Sequence, residues 1–408
     1  MGIFAVKHCY DVIVIGAGAA GMTASITAAE RGKRILLLEK ADRPGRKILA
    51  SGNGRCNMMN SGNLRYYGDP CFAENVLRQC PVDDIAAFFN RYGLMLREED
   101  EGRLYPVTNQ AASVVTALRN AMTLLSVQCM MNSQVSSAEK KGSTFIVSTT
   151  SGTVYSAEKL LITCGGKAQP KLGGSDDGYS LLSALGHTLI PVVPSLVPLN
   201  TDSRSISGLS GIRIRCRVNV IQNDQILHSE DGEVLFSDYG VSGICIMQCA
   251  RFVTASETRL ELNLMKDAFR DANPFREELL RRRKLFSSCS PVWLLNGILP
   301  EKFSYAVLKQ AGIPMKGETC GDISENEIEH ILHAAFHYRI RITGKRGFDQ
   351  AQVTAGGISC AEFNPCTMES RIIPGLYAAG EVLDVDGDCG GFNLMFAFAS
   401  GMIAGQNM

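Results

Sequence analysis

Apolar residues recur along this chain with three different periods, and each period predicts a different element. Asp11-Val12-Ile13-Val14-Ile15 and Ile35-Leu36-Leu37-Leu38 are short continuous runs, as expected of strands buried on both faces of a parallel sheet. Ile85/Phe88/Phe89 and Val114/Val115/Leu118 repeat with helical spacing, which makes the region from Tyr67 to Val127 mostly helical around Tyr105-Pro106. Residues 127–162 break into short strands with a Lys141-Gly142 turn. From Ile212 to Val220 the chain alternates strictly, with arginines at 213, 215 and 217 on the polar face, so a half-exposed antiparallel strand is expected, turning at Asn223-Asp224 into a partner over Gln225–Leu227. A helix is expected to open at Asn273-Pro274, with Asn273 as cap, and another at the capping box Ser324-x-x-Glu327. Gly375 to Glu381 reads as a final buried strand, and Gly390-Gly391-Phe392-Asn393 opens a helix whose small residues Ala397, Gly401 and Gly405 would let it lie against the sheet.

The first two runs enclose Gly16, Gly18 and Gly21, a G-x-G-x-x-G turn followed by a helix and then by Glu39. In this pattern the first glycine makes the turn, the second admits a pyrophosphate, and the third lets helix and strand pack closely. The helix N-terminus carries roughly +0.5 of an elementary charge, which favours phosphate, and Glu39 would accept hydrogen bonds from ribose hydroxyls. Two rows of small residues on that helix, Ala20/Ala24/Ala28 and Gly21/Ser25/Ala29, predict close backbone approach. Residues 12–29 are too rich in Gly, Ala, Ser and Thr for a membrane span.

Composition narrows the partners. Forty-one basic residues balance 41 acidic ones among 408, so no global charge points to nucleic acid or to an anionic membrane. The 14 cysteines contain no C-x-x-C, which speaks against a zinc site or a disulfide framework. His330, His333 and His337 fall opposite the apolar stripe of their helix, and Asp384, Asp386 and Asp388 lack the later glutamate of a calcium loop, so no metal is expected. Arg281-Arg282-Arg283-Lys284 reads as a solvated helix face. Met1 to Cys9 is too short and polar for a signal peptide, and a cytoplasmic protein is expected.

After Glu39 comes a long loop, Arg46-Lys47-Ile48-Leu49-Ala50-Ser51-Gly52-Asn53-Gly54-Arg55-Cys56-Asn57, whose backbone amides and basic side chains could wrap a phosphate-bearing cofactor. This GRKILASGNGRCN segment resembles the signature of the BaiN-like flavoproteins, also described as YhiN-like or aminoacetone oxidase family proteins. The likeness continues at Cys164-Gly165-Gly166 through Pro170, at Gly173-Gly174-Ser175, at Asp177-Gly178-Tyr179, at Val353 to Gly357, and from Pro374 to Gly405.

The resemblance implies noncovalent FAD, with NADH or NADPH as a transient donor, and a small-molecule substrate; the balanced charge adds the expectation of neither nucleic acid nor membrane as partner. It implies an α/β fold: a discontinuous Rossmann-like FAD-binding domain, an inserted antiparallel β-barrel-like domain that covers the flavin, and a small helical subdomain. With the prolines at 191, 194 and 198 as punctuation, the expected division is 1–190 plus 345–408, 191–250 plus 323–344, and 251–322 for the helical insert. Expected around the cofactor are Gly16, Gly18, Ala19, Ala20, Gly21, Glu39 and Lys40, then Arg46, Lys47, Ser51, Gly52, Asn53, Gly54, Arg55, Cys56 and Asn57. Val135 would touch the adenine side, with Cys164, Gly165, Gly166, Gly380, Glu381, Asp384, Gly391, Phe392, Asn393 and Leu394 completing the set. The implied reaction is hydride transfer through flavin N5 to an acceptor such as an enone C=C. The competing readings are an amine or aminoketone oxidase that uses oxygen and a flavin-binding module without turnover. The family's middle motif stands here as Leu235 to Gly243, departing from the usual pattern at Asp238 and Ile244, and Tyr239 within it is either a proton donor or a structural tyrosine.

Overall fold

In a computed structural model, residues 9–254 and 257–408 are described. The leader reading of the first nine positions falls almost wholly outside them. The chain forms two compact units, Met1–Pro194 with Ala351–Met408, and Ser195–Gln350.

The first unit is built on a seven-stranded sheet. Its strands are β1 (Cys9–Ile15), β2 (Ile35–Leu38), β3 (Gln128–Met130), β4 (Val135–Lys141), β5 (Thr144–Thr149) and β6 (Val154–Ile162), in the order β3-β2-β1-β6-β5-β4. The first four in that order are parallel, Leu376–Ala378 adds in parallel to β6, and β5 and β4 are antiparallel. Val12, Ile13, Val14, Leu36 and Leu37 are fully buried, as the unbroken apolar runs require. Helix α1 (Ala19–Glu30) follows β1 directly and is buried from Ala19 to Ala28.

The last helix, Phe392–Asn407, places its small residues against α1 rather than against the sheet. A methyl on Gly405 would lie 2.5 Å from the Ala24 carbonyl oxygen, and one on Gly401 would strike the Ala20 carbonyl. The two rows of small residues therefore serve each other, and Gly380, whose amide donates to Ser400 Oγ at 3.0 Å, holds the strand end beside them.

The segment holding Asp384, Asp386 and Asp388, which follows the final strand and was expected as a loop, is in part a strand. Val385–Gly387 is a short strand paired with Tyr66–Gly68, and Asp386 and Asp388 are buried.

The second unit contains a closed six-stranded barrel. Its strands are β7 (Leu199–Thr201), β8 (Arg213–Gln222), β9 (Gln225–Ser237), β10 (Gly240–Ser242), β11 (Arg259–Asn263) and β12 (Tyr338–Lys345), in the order β7-β10-β9-β8-β11-β12. Ile214, Cys216, Val218 and Val220 are buried and Arg213, Arg215 and Arg217 exposed, so period two set the register. The partner strand runs ten residues further than the sequence suggested, to Ser237, and β11 lies inside the stretch expected to be helical.

Helices Ala272–Leu285, Glu301–Gln310 and Glu325–Phe336 form the helical part, and Phe303 packs edge-on to Phe236 and Tyr338 of the barrel. The capping box is present at Ser324 and Glu327. At the first of these helices the cap is Asp271, whose carboxylate accepts from Asn273 N, so Asn273 and Pro274 lie within the first turn. Among the described residues no helix is long and apolar enough to cross a membrane.

Candidate active site

The site grows from the end of β1. Gly16 takes φ +104°, and a side chain there would meet the Thr163 carbonyl oxygen at 2.6 Å; a side chain on Gly21 would meet Thr163 Oγ1 at the same distance. Thr163 itself locks the turn, donating from Oγ1 to the carbonyls of Ile15 and Gly16 at 2.9 Å each. Gly18 differs from both, because nothing lies within 4 Å of where its side chain would stand. It is the helix N-cap, with no side chain capping the first amides of α1, including those of Ala19, Ala20 and Gly21.

Glu39 follows β2, and its carboxylate accepts from Ala17 N at 2.7 Å and Ala41 N at 2.8 Å. Each oxygen keeps a lone pair for a further donor. The Ser133 amide donates to the Glu39 carbonyl, which sets the start of β4 and hence Val135 near this acid. Lys40 Nζ donates to Ser175 Oγ at 2.6 Å and Asp177 at 2.9 Å. Burial works against the Asp177 carboxylate, but hydrogen bonds from Lys40 and from Ser175 hold its pKa below the usual value.

The loop from Arg46 forms a short helix, Arg46–Ala50, and a 3-10 turn, Ser51–Gly54, in which Gly52 and Asn53 are left-handed. Lys47 Nζ reaches Glu381 at 2.6 Å, and Glu381 also accepts from Thr354 N at 2.9 Å. Ser51 Oγ turns back to the Ile48 carbonyl, while Gly54 faces open space. Cys56 is buried, and burial lifts its thiol to about 11 despite a hydrogen bond with Ser51. Asn57 Oδ1 is buried with no hydrogen-bond donor, and a side chain on Gly391 would come within 2.7 Å of it.

Opposite the glycine turn, β6 runs into Cys164, Gly165 and Gly166. Burial lifts the Cys164 thiol to about 12. A side chain on Gly166 would meet Thr354 Oγ1 at 2.5 Å and Glu381 Oε1 at 2.8 Å, so only glycine fits there. Asp384 belongs to the backbone framework, its carbonyl accepting from Asp69 N. The Phe392 carbonyl accepts from Tyr66 OH at 2.8 Å, and Leu394 packs partly buried against the core.

The candidates thus fall into two groups. The glycine turn with Glu39, the Lys47–Glu381 pair with Gly166, and Asn57 with Gly391 are brought together. Other polar candidates turn out to be committed to protein. Arg46 donates to the Lys171 carbonyl and Arg55 to Glu99 and Asn109 while lying 4.3 Å above the Tyr105 ring, and Asn393 accepts from Gly387 N at Oδ1 and donates from Nδ2 to the Gly387 carbonyl. Tyr239 lies in the second unit, its ring 4.8 Å beneath the Arg346 guanidinium. Thr163 and Thr354 were not foreseen as site residues. Their signal was position: each is a hydroxyl next to a glycine-rich segment that needs its backbone held.

A mostly parallel sheet with a glycine turn after its first strand, an acid after the second and a C-terminal return of strand and helix defines a Rossmann scaffold of the class that serves dinucleotide-dependent oxidoreductases. The chain belongs to the family described as HI0933-like protein Rossmann domain, which it matches over residues 10–407. It is 33% identical to a 3-dehydro-bile acid delta(4,6)-reductase of Clostridium scindens, over 96% of this chain and 97% of that one. It is 29% identical to a ribosomal RNA dihydrouridine synthase of Escherichia coli, over 98% of each. Among solved structures, a 3-ketosteroid-delta4-(5alpha)-dehydrogenase of Rhodococcus jostii superposes with a TM-score of 0.53 at 15% identity, covering 99% of this chain and 98% of that one; this likeness speaks to fold alone.

Proposed function

We propose that the first unit binds FAD noncovalently and that the protein reduces a small organic acceptor, such as an activated C=C, at the expense of NADH or NADPH. The observation that carries the reading is the buried, donorless Asn57 Oδ1 facing Gly391: a buried acceptor without a partner costs about 1–3 kcal/mol, and a ring N–H of a bound flavin would satisfy it. Support at the other end comes from the open space over Gly18 and the uncapped amides of α1, which suit a pyrophosphate. Glu39 would hold the adenosine ribose with the lone pairs that Ala17 and Ala41 leave free. Lys47, fixed by Glu381, would place a positive charge near the cofactor, while Gly166 and Gly380 allow close approach. When bound, FAD supplies hydride acceptance and donation at N5.

The exposed arginine row of β8 is neutralised, by Glu233 at 2.7 Å, Asp267 at 3.5 Å and Asp231 at 2.8 Å for Arg213, Arg215 and Arg217. That leaves no basic track on β8 for a polynucleotide. Stopped-flow mixing of the anaerobic flavoprotein with NADH and with NADPH, then with air, tests the proposal. Bleaching by one nucleotide with slow reoxidation is expected. Fast reoxidation would identify an oxidase, and absence of any reduction would leave a binding module.

A further inference from the structure

The outer face of the barrel holds an open cavity of about 360 Å³, a volume that suits a small ligand. It is lined by Ser205, Glu257, Thr258 and three arginines, Arg259, Arg339 and Arg341. The antiparallel register of β11 and β12 sets Arg259 directly opposite Arg341, with Glu261 opposite Arg339 two pairs further on. Like charges directly opposite on one face of a sheet repel, so this pairing is unfavourable in the empty barrel.

The neighbouring carboxylates compensate it incompletely. Arg259 donates from Nη2 to Asp224 at 2.6 Å, a side chain that is 87% exposed, while its Nε is buried without an acceptor. Arg339 stands 3.8 Å from Glu261, which already meets His337 Nδ1 at 2.8 Å. Arg341 forms no ion pair among the described residues; its backbone amide donates to Ser205 Oγ at 3.4 Å, and its charge helps lower the pKa of Asp202, which the Ser205 and Arg204 hydrogen bonds depress against burial. A buried guanidinium N–H without an acceptor is a cost that an arriving oxyanion removes.

We propose that this cavity is a binding site for a small oxyanion-bearing molecule, with a phosphate or carboxylate gripped between Arg259 and Arg341. Glu257 on the same wall opposes a bare multivalent anion and accepts a hydrogen bond, so the ligand carries a hydroxyl beside its acid group, as glycerol phosphate and lactate do. The site shares no residue with the flavin reading and stands or falls independently of it.

Titration calorimetry on the purified full-length protein tests this, with glycerol phosphate and lactate as separate probes at millimolar concentration. Saturable binding of either supports the site and tells which acid it takes. Arg259→Met and Arg341→Met should each weaken that binding at least tenfold, and Arg259→Lys should keep part of it. Because Arg341→Met also removes the like-charge pair, its melting temperature without ligand should equal or exceed that of the parent, which a merely structural arginine would not give. Binding of neither probe, or equal binding in both methionine variants, would overturn the proposal.

Discussion

Lys47 Nζ lies 2.6 Å from a carboxylate oxygen of Glu381, although the two residues are 334 positions apart. The pair joins the loop after the first βαβ unit to the strand that returns at the end of the chain, and Thr354 N shares the same carboxylate. Both side chains are mostly covered, at 30% and 18% exposure, so the pair is screened less than a surface bridge. Removing one partner leaves a partly buried charge alone. In a double-mutant cycle with Lys47→Met and Glu381→Gln, urea unfolding should give a coupling of about 0.5–3 kcal/mol, and independent effects would show that the pair does not tie the segments.

Glu39→Ala should lower FAD affinity at least tenfold, since charge-assisted hydrogen bonds are worth about 1.5–3 kcal/mol each. Its carboxylate also receives Ala17 N and Ala41 N, so Glu39→Gln, which keeps an acceptor, should lose less. Titration of FAD into each apoprotein decides it, with the midpoint potential expected to stay put.

Gly391→Ala is expected to cost roughly 1–3 kcal/mol, because φ there is +103° and the added methyl would press on the Met59 carbonyl and on Asn57 Oδ1. Flavin content of the purified variant should fall further than that of Gly54→Ala, where the backbone is also left-handed but nothing lies within 4 Å. Equal flavin content in the two would mean that the Asn57 pocket is not at the ring.

His187 gives the first unit a pH dependence. It is buried, stacked on Phe363 and bonded to Ser370 Oγ at 2.9 Å, and burial holds its pKa below the ordinary value of about 6.5 despite the Glu362 charge. The unfolded ring therefore takes up a proton near 6.5 while the folded ring still resists, so stability falls as the pH drops below about 6.5, until the folded ring protonates as well. Urea midpoints measured from pH 7.5 to 5 should decline more steeply for the parent than for His187→Gln.

Local chemistry was legible in the sequence wherever the partner was local too. The βαβ unit, the Ser324–Glu327 box and the alternation of β8 each carry their cause within a few residues. What stayed hidden depends on distant segments. Asp384 to Asp388 read as a loop because Tyr66–Gly68, its strand partner, lies over 300 positions away, and the stripe at Gly401 and Gly405 named a close approach without naming α1. Arg55 and Asn393 looked available for a cofactor because Glu99, Asn109 and Gly387 could not be seen around them. The helix cap moved to Asp271 because Asp-Ala-Asn-Pro offers two capping side chains, and only geometry chooses between them.

The embrace of α1 by the last helix also fixes an order of events during synthesis. Residues 20–28 leave the ribosome early, yet the surface that covers them, around Gly401 and Gly405, is made some 380 residues later. At about 5–20 residues per second, the bare alanine face waits on the order of 20–80 s for its cover. Through that interval the nascent nucleotide-binding half exposes an apolar helix that can find wrong partners, so this protein should depend on holding chaperones while it is translated, and a ribosome stalled before codon 392 should present a species that aggregates on release.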